Sequence, residues 1–303
     1  MTPITTRAPQ LSVIIATHNN RAVLQKCLEC WQRFAADAPV ELLVVEDGCT
    51  DGTAEYLAQL AGDGWSGPAL RVLHEDNVHE LMCTNRGFRE ARAPLIMSWH
   101  DDMFLQASWF VPELLRTFGA YPDIGLMSLS RGLLVSAVDA PVLTWEDSVD
   151  WRRLQSTIGP APWNWVRLYE VDAVMRPWVV RRACLDAVGP MDEVFRPTEW
   201  DEADLCYRIR QAGWRIATHG YERDGAYRHL LSTTYSQTPS ERRQAIGLRN
   251  ARIFYERWDA MIHAEHGRPH RTWRRLLTPR SATSAVIAAV RHAIHPSSGT
   301  GGA

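Results

Sequence analysis

Three short apolar runs, each stopping at polar or acidic residues, constrain this chain most. Leu11 to Ala16 stops at Thr17-His18-Asn19-Asn20, Glu41 to Val45 at Glu46-Asp47-Gly48, and Leu95 to Trp99 at His100-Asp101-Asp102. Compact apolar runs without alternation are the pattern of strands buried on both faces of a parallel sheet. The stretches Ala22 to Phe34, Ala54 to Leu60 and Glu80 to Ala91 carry apolar residues at helical spacing, and Arg71-Val-Leu73 reads as a further short strand. Strand and helix therefore alternate as in a doubly wound α/β sheet. Ligands of such sheets bind in the crevice beyond the carboxyl ends of the strands, where these polar residues gather.

The third run ends in the most costly arrangement. Desolvated carboxylates repel each other unless a cation or hydrogen-bond donors compensate. A divalent metal is the simplest compensation for Asp101 and Asp102, and hard oxygen ligands suit Mg²⁺ or Mn²⁺. Two solvated acids in a loop would read the same way in isolation. Gly48 and Gly52 allow a tight turn after the second run, but neither a dinucleotide fingerprint nor a phosphate-binding P-loop is present.

Composition narrows the classes. Of 303 residues, 46% are hydrophobic and 22% charged, with a net charge of −2, so no global basic field argues for nucleic acid. Six scattered cysteines do not form the dense framework of a small secreted domain, and Cys27 and Cys30 fall within a helical pattern. Met1 to Gln10 is short and polar, unlike a secretory leader, and no apolar run approaches the roughly 18 residues of a membrane span. A cytoplasmic protein is the default expectation.

Beyond the third run, Trp109 to Phe118 reads as a helix and Ile124 to Leu129 as a strand. Residues 130–170 are rich in Pro and Trp, with weak periodicity, and read as an irregular excursion over the crevice. Val171 to Val180 is strand-like and Arg181 to Val188 helical. Glu199-Trp-Asp-Glu-Ala-Asp-Leu205 opens a helix whose first-turn acids suit its dipole, with Gly213 as a C-terminal cap. Trp214 to Thr218 is a strand and Ser240 to Ile262 a long helix. From His266 onward there is no acid but six arginines, and Val286 to Ile294 is mildly apolar. That segment is compatible with an anionic membrane surface and equally with a solvated tail.

Several stretches, in order, resemble the family 2 glycosyltransferases of the inverting GT-A type. Leu11 to Asn19 is similar to the family's first strand and nucleotide loop, and Val44-Val-Glu-Asp-Gly-Cys-Thr-Asp-Gly-Thr53 to its second-strand motif, with Glu46 and Cys49 replacing the usual Asp and Ser. Asn77 and Asn85-Arg-Gly87 sit at the family's spacing, with His79 in place of a glycine. His100-Asp101-Asp102 occupies the Asp-x-Asp region, with His100 replacing its first acid. Trp200 to Leu205, with Arg208 and Gly213, resembles the Glu-Asp-x-Asp-Leu motif with its acids swapped to Asp201-Glu202, and Gly189 to Glu193 fits before it.

The resemblance implies a Rossmann-like, mixed but mostly parallel sheet flanked by helices, with a helical C-terminal extension. Along the chain it implies an N-terminal tail (1–10), a nucleotide-sugar-binding half (11–129), an acceptor half with the Trp-rich insertion (130–238), a C-terminal helix (239–265) and a partly disordered basic tail (266–303). It implies inverting, metal-dependent transfer of a sugar from a nucleoside-diphosphate sugar to a glycan or lipid-linked glycan, as in polysaccharide biosynthesis. Thr17, His18, Asn19, Glu46, Asp47, Asn85, Arg86 and Asp101 would hold the nucleotide sugar. Asp102, with His229, would hold Mn²⁺ or Mg²⁺. Glu202 falls where the family's catalytic acid sits, with Asp201 the alternative base; a satisfied surface or core His remains the other reading of His229. Trp200, Trp163 or Trp165 would give the acceptor a flat aromatic face, although core and lid packing accounts for tryptophans equally well. Peripheral contact with the inner face of the cell membrane would suit a lipid-linked acceptor. Two alternatives stay open. One is a nucleotide-sugar-binding protein that has lost turnover; the other is a sugar-phosphate nucleotidyltransferase, which would want a Gly- and basic-rich loop that Thr17 to Asn20 does not supply.

Overall fold

The computed structural model describes residues 8–135, 166–230 and 240–294. In chain order the first half contains β1 (Leu11–Thr17), α1 (Arg21–Ala35), β2 (Val40–Asp47), α2 (Thr53–Gln59), β3 (Ala69–Glu75), α3 (His79–Glu90), β4 (Leu95–His100), β5 (Met103–Leu105), α4 (Phe110–Ala120), β6 (Ile124–Ser128) and β7 (Gly132–Leu133). The second contains β8 (Arg167–Val171), β9 (Ala173–Val174), β10 (Trp178–Arg181), α5 (Arg182–Val188), α6 (Asp201–Gln211), β11 (Arg215–Thr218), β12 (Tyr227–His229), α7 (Ser240–Ala264), β13 (Thr272–Arg274) and α8 (Pro279–Ile294).

Nine strands form one sheet in the order β13-β8-β11-β6-β10-β4-β1-β2-β3. The strands β3, β2, β1 and β4 pair in parallel, and β10 runs antiparallel between β4 and β6. The expected mixed, mostly parallel α/β sheet is present. Side chains alternate between its two buried faces. Leu11, Val13 and Ile15 pack with Leu24, Leu28 and Trp31 of α1 and with Phe110 of α4. Ile14, Leu43 and Val45 pack on the other face with Leu81 and Phe88 of α3, Leu205 of α6 and Phe254 of α7. Burying each such side chain contributes about 1.5–3 kcal/mol, which is why the runs admit no polar alternation. A Cβ on Gly87 would meet Ile14 at 2.5 Å, so glycine there lets α3 lie close on β1. Cys27 and Cys30 lie on α1 as free thiols.

Two expectations need correction. Val171 to Val180 is not one strand, because the chain breaks after β9 and restarts at Trp178, beyond Pro177. A proline cannot donate to a ladder, so the break belongs where it falls. The segment from residue 266 is not simply a tail. Its β13 closes one edge of the sheet against β8, and Arg275 is fully buried among Glu113, Asp224 and His219. Six arginines therefore do not make a free basic surface, since Arg268, Arg271 and Arg275 are engaged in ion pairs with the body. The excursion expected over 130–170 is described only at its ends, by β7 and β8, and the expected disorder of Ser297 to Ala303 lies outside the described residues.

Candidate active site

Where the parallel strands end, the first two loops form one rim. Thr17 at the end of β1 donates from Oγ1 to Asp101 Oδ2 at 2.7 Å. His18 and Asn19 follow, both exposed. A carbonyl can only accept, so the 2.6 Å contact between His18 Nδ1 and Asp47 O places the ring proton on Nδ1; Nε2 then accepts from the Asn19 amide at 3.0 Å. Asn19 Oδ1 in turn accepts from the Thr50 backbone at 2.7 Å, joining the loop after β1 to the loop after β2. Gly48 makes that second turn with φ +63°.

The two acids ending β2 are more occupied than the sequence implies. Glu46 accepts from the Cys49 backbone, which closes the turn, and from His74 Nδ1 at 3.0 Å. Burial pushes its carboxyl up, but these hydrogen bonds hold it below the usual range. Asp47 accepts from Val78 N at 2.7 Å and His79 N at 2.9 Å, so it satisfies the orphan N–H groups where α3 begins. A contact from Asp47 to a nucleotide base would be its third bond.

Beyond β4 the acids divide. Burial and the neighbouring Asp102 push Asp101 up to about 6, while Thr17 pulls against them. Asp102 meets two imidazoles. His229 Nε2 lies 3.3 Å and His100 Nδ1 3.9 Å from Asp102 Oδ1. The register explains this. β5 and β12 pair antiparallel with Met103 opposite His229, and Leu230 N donates to Asp102 O, which carries His229 to the strand end. One donor atom from each of His100, Asp102 and His229 lies within 4.8 Å of the others, the one such group among the described residues and a spacing that fits a divalent ion.

On the other side of β4, α6 delivers Asp201 and Glu202. Glu199 and Trp200 both have positive φ, 78° and 66°. Such strain persists only where surroundings enforce it, and Asn250 Nδ2 of α7 does so by reaching the carbonyls of Phe195, Thr198 and Glu199 at 2.8–3.0 Å. The Asp201 side chain is 1% exposed and that of Glu202 16%, so Glu202 is the acid open to a ligand. Trp178 Nε1 donates to Glu202 Oε1 at 3.1 Å. Burial pushes Glu202 up to about 7, with Arg176 opposing and Asp201 adding to the rise. Burial also raises Asp201, again against Arg176.

Arg176 joins the two sides. Only 6% exposed, it reaches Glu202 Oε1 at 3.0 Å, Asp201 Oδ2 at 3.3 Å, Glu80 Oε1 at 3.2 Å and Ser98 Oγ at 3.1 Å. Glu80 Oε1 lies 2.9 Å from His100 Nε2. A continuous series of polar contacts thus runs from Asp102 through His100, Glu80 and Arg176 to Glu202. Sequence reasoning missed Arg176, Glu80 and Trp178. Pro177 inside an apparent strand was the available signal for Arg176, and Glu80 stood only as the start of a helical stretch.

Other expected site residues lie elsewhere. Asn85, expected at the nucleotide, is buried, and its amide is spent on both backbone groups of Met191, at 2.8 and 3.0 Å. It ties α3 to the turn that precedes α6. Arg86 pairs with Glu75 and Glu90 beside the edge strand β3. Trp200, expected as an acceptor platform, is buried against Phe254 and Tyr255, with centroids at 4.9 and 5.3 Å, so its faces belong to the core. Trp163 and Trp165 lie outside the described residues. Asp204 is fully buried; it clamps α6 to α7 through Arg257 and Trp258 and pairs with Arg208 of its own helix.

Residues 12–133 match the model of glycosyl transferase family 2. A search of curated proteins gave no significant match. Among solved structures, GalNAc-T7 with UDP, GalNAc and Mn²⁺ aligns with TM-score 0.56 and 13% identity over 84% of this chain and 49% of that one. TarS 1-349 of S. aureus in complex with UDP-GlcNAc aligns with TM-score 0.53 and 14% identity over 93% of this chain and 72% of that one. In another TarS 1-349 structure, with TM-score 0.49 and 14% identity, 70% of this chain spans 58% of that one. At these identities the likeness is one of fold. Residues 12–133 thus match the glycosyl transferase family 2 model, and the sheet they open shares its fold with these glycosyltransferase structures.

Proposed function

We propose that this protein is a glycosyltransferase that moves a sugar from a nucleoside-diphosphate sugar to a hydroxyl of a glycan or lipid-linked glycan, with inversion, by a single displacement. One observation carries the reading. A histidine–aspartate cluster and an accessible carboxylate of raised affinity for protons lie along the carboxyl edge of the sheet, joined through Glu80 and one buried arginine. Fold neighbours captured with UDP-GlcNAc, and with UDP, GalNAc and Mn²⁺, support the ligand class.

The residues divide the work. The loop of Thr17, His18 and Asn19 lines the nucleotide side, with Asp101 beside it. Asp102 and His229 would hold a divalent ion, which supplies positive charge to a leaving diphosphate. Glu202 takes the proton of the acceptor hydroxyl as attack develops. A base near pH 7 is well matched to that task, and one base without a nucleophile suits a single displacement, unlike the two-carboxylate hydrolases. Asp201, behind Glu202 and paired with Arg176, raises the affinity of Glu202 for the proton.

The C-terminal segment bears on the acceptor. Four of the six large hydrophobic side chains exposed among the described residues, Val286, Ile287, Val290 and Ile294, recur at helical spacing along α8, which also carries exposed Arg280 and Arg291. No helix of the described residues is long and apolar enough to cross a membrane. An apolar stripe flanked by arginine suits the surface of an anionic bilayer, where a lipid-linked acceptor would be presented.

The test is a panel of nucleoside-diphosphate sugars, with release of the nucleoside diphosphate followed with and without Mn²⁺ and an acceptor extract. Metal-dependent turnover of one donor is expected. Binding of a nucleoside diphosphate without turnover of any donor would favour the binding-protein alternative.

A further inference from the structure

His100 stands where the family resemblance expects an acid, and its surroundings give it a definite chemical role. Glu80 Oε1 lies 2.9 Å from His100 Nε2. Glu80 Oε1 also lies 3.2 Å from Arg176 Nη1, and a carboxylate held by a guanidinium can only accept. With Nε2 turned to Glu80, a neutral ring protonated there offers its lone pair at Nδ1. That atom faces Asp102 Oδ1 at 3.9 Å, and His229 Nε2 approaches the same oxygen at 3.3 Å. Two donors bound about 2.1 Å from one ion lie about 3–4 Å apart, so the separations need little adjustment.

We propose that His100 is a third protein ligand of the metal, bound through Nδ1 and oriented by Glu80, and that this two-imidazole, one-carboxylate set selects Mn²⁺ and related transition ions over Mg²⁺ and Ca²⁺. The proposal rests on the metal-dependent reading above and adds the ligand set and its selectivity. Metal-bound histidines donate their other ring N–H to a carboxylate or carbonyl, which fixes tautomer and ring orientation. Glu80 takes that part here, and it is fixed in turn by Arg176 at 3.2 Å. Asp101, the other acid of the motif, is held by Thr17. Imidazole nitrogen is a softer donor than the oxygens that Mg²⁺ and Ca²⁺ require, so replacing an acid by His100 moves preference along the first transition row.

The experiment is titration of the full chain with Mn²⁺, Zn²⁺, Mg²⁺ and Ca²⁺ by calorimetry, with nitrogen couplings of bound Mn²⁺ read by pulsed electron paramagnetic resonance. Thermal melts confirm that each variant folds. The wild-type protein is expected to bind Mn²⁺ at least about tenfold more tightly than Mg²⁺ and to show couplings from two imidazoles. His100→Ala should remove one of the two couplings and weaken Mn²⁺ binding at least tenfold. Glu80→Gln should weaken it about 10–100-fold while both couplings remain. His100→Asp should narrow or reverse the preference for Mn²⁺ over Mg²⁺. Unchanged Mn²⁺ affinity and couplings in His100→Ala, or equal wild-type affinity for Mn²⁺ and Mg²⁺, would overturn the ligand set and leave the metal reading standing. Absence of divalent-ion binding by the wild-type protein would overturn both.

Discussion

The two halves of the sheet reach the same crevice by opposite routes. From β3 to β4 the strands are parallel, and their ends deliver Thr17, Glu46, Asp47 and Asp102. Beyond β4, β10 runs antiparallel, and the residue that reaches the crevice, Arg176, stands just before the strand begins. The same edge of a mixed sheet is met by the ends of some strands and the beginnings of others. A search for polar residues after apolar runs therefore finds one half of such a site and passes over the other. The halves also differ in how they use charge. Acids ending β2 hold backbone N–H groups, whereas those opening α6 share a buried arginine.

A large effect should come from the parallel half. Asp102→Ala is expected to lower metal-dependent transfer by about 10³-fold, the scale of lost electrostatic stabilisation at a reacting centre. Initial rates with saturating Mn²⁺ measure it, and a variant within a few-fold of wild type would move the metal off the end of β4.

The far side of the sheet can be broken by stability. Arg275 is fully buried between Glu113 and Asp224, so Arg275→Ala leaves two buried acids without their cation. A loss of about 3–5 kcal/mol in urea unfolding is expected. A negligible change would return the C-terminal segment to the status of a tail.

Legibility followed the same division. The runs at Leu11, Glu41 and Leu95 were readable because burial on both faces forbids polar alternation. Their terminal residues were readable because parallel direction fixes the edge. Asn85 and Trp200 lay at motif spacing yet serve packing, since spacing places a residue on an element but does not say which neighbour meets it. Arg275 was hidden for a related reason, as its partners are 162 and 51 residues away. Glu202 was placed by resemblance to a motif, and its accessibility relative to Asp201 needed the turn at Glu199 and Trp200.

A smaller effect should appear with pH. Glu202 must lose its proton to act as base, and burial sets that loss near pH 7. The value of kcat should fall by about tenfold per unit below that pH and level off above it. Arg176→Gln removes the cation that favours the ionised form, so this limb should shift to higher pH. A limb that stays in place would uncouple the antiparallel half from the base. The smallest expected effect is at α8. Replacing Val290 and Ile294 by Asp should reduce co-sedimentation with anionic vesicles a few-fold and leave transfer to a soluble acceptor unchanged. Equal binding of both forms would remove the bilayer from the account, and loss of a dimer in place of vesicle binding would assign the stripe to a second copy of the chain.

The central claim is that Glu202, and not its neighbour Asp201, takes the acceptor proton. Single-turnover transfer by Glu202→Gln and Asp201→Asn, each with donor affinity measured by calorimetry, tests it most directly. Glu202→Gln should slow the chemical step by about 10²–10⁴-fold with donor affinity within about twofold of wild type, and Asp201→Asn should slow it less. Near-normal turnover in Glu202→Gln together with the deeper loss in Asp201→Asn would contradict the claim.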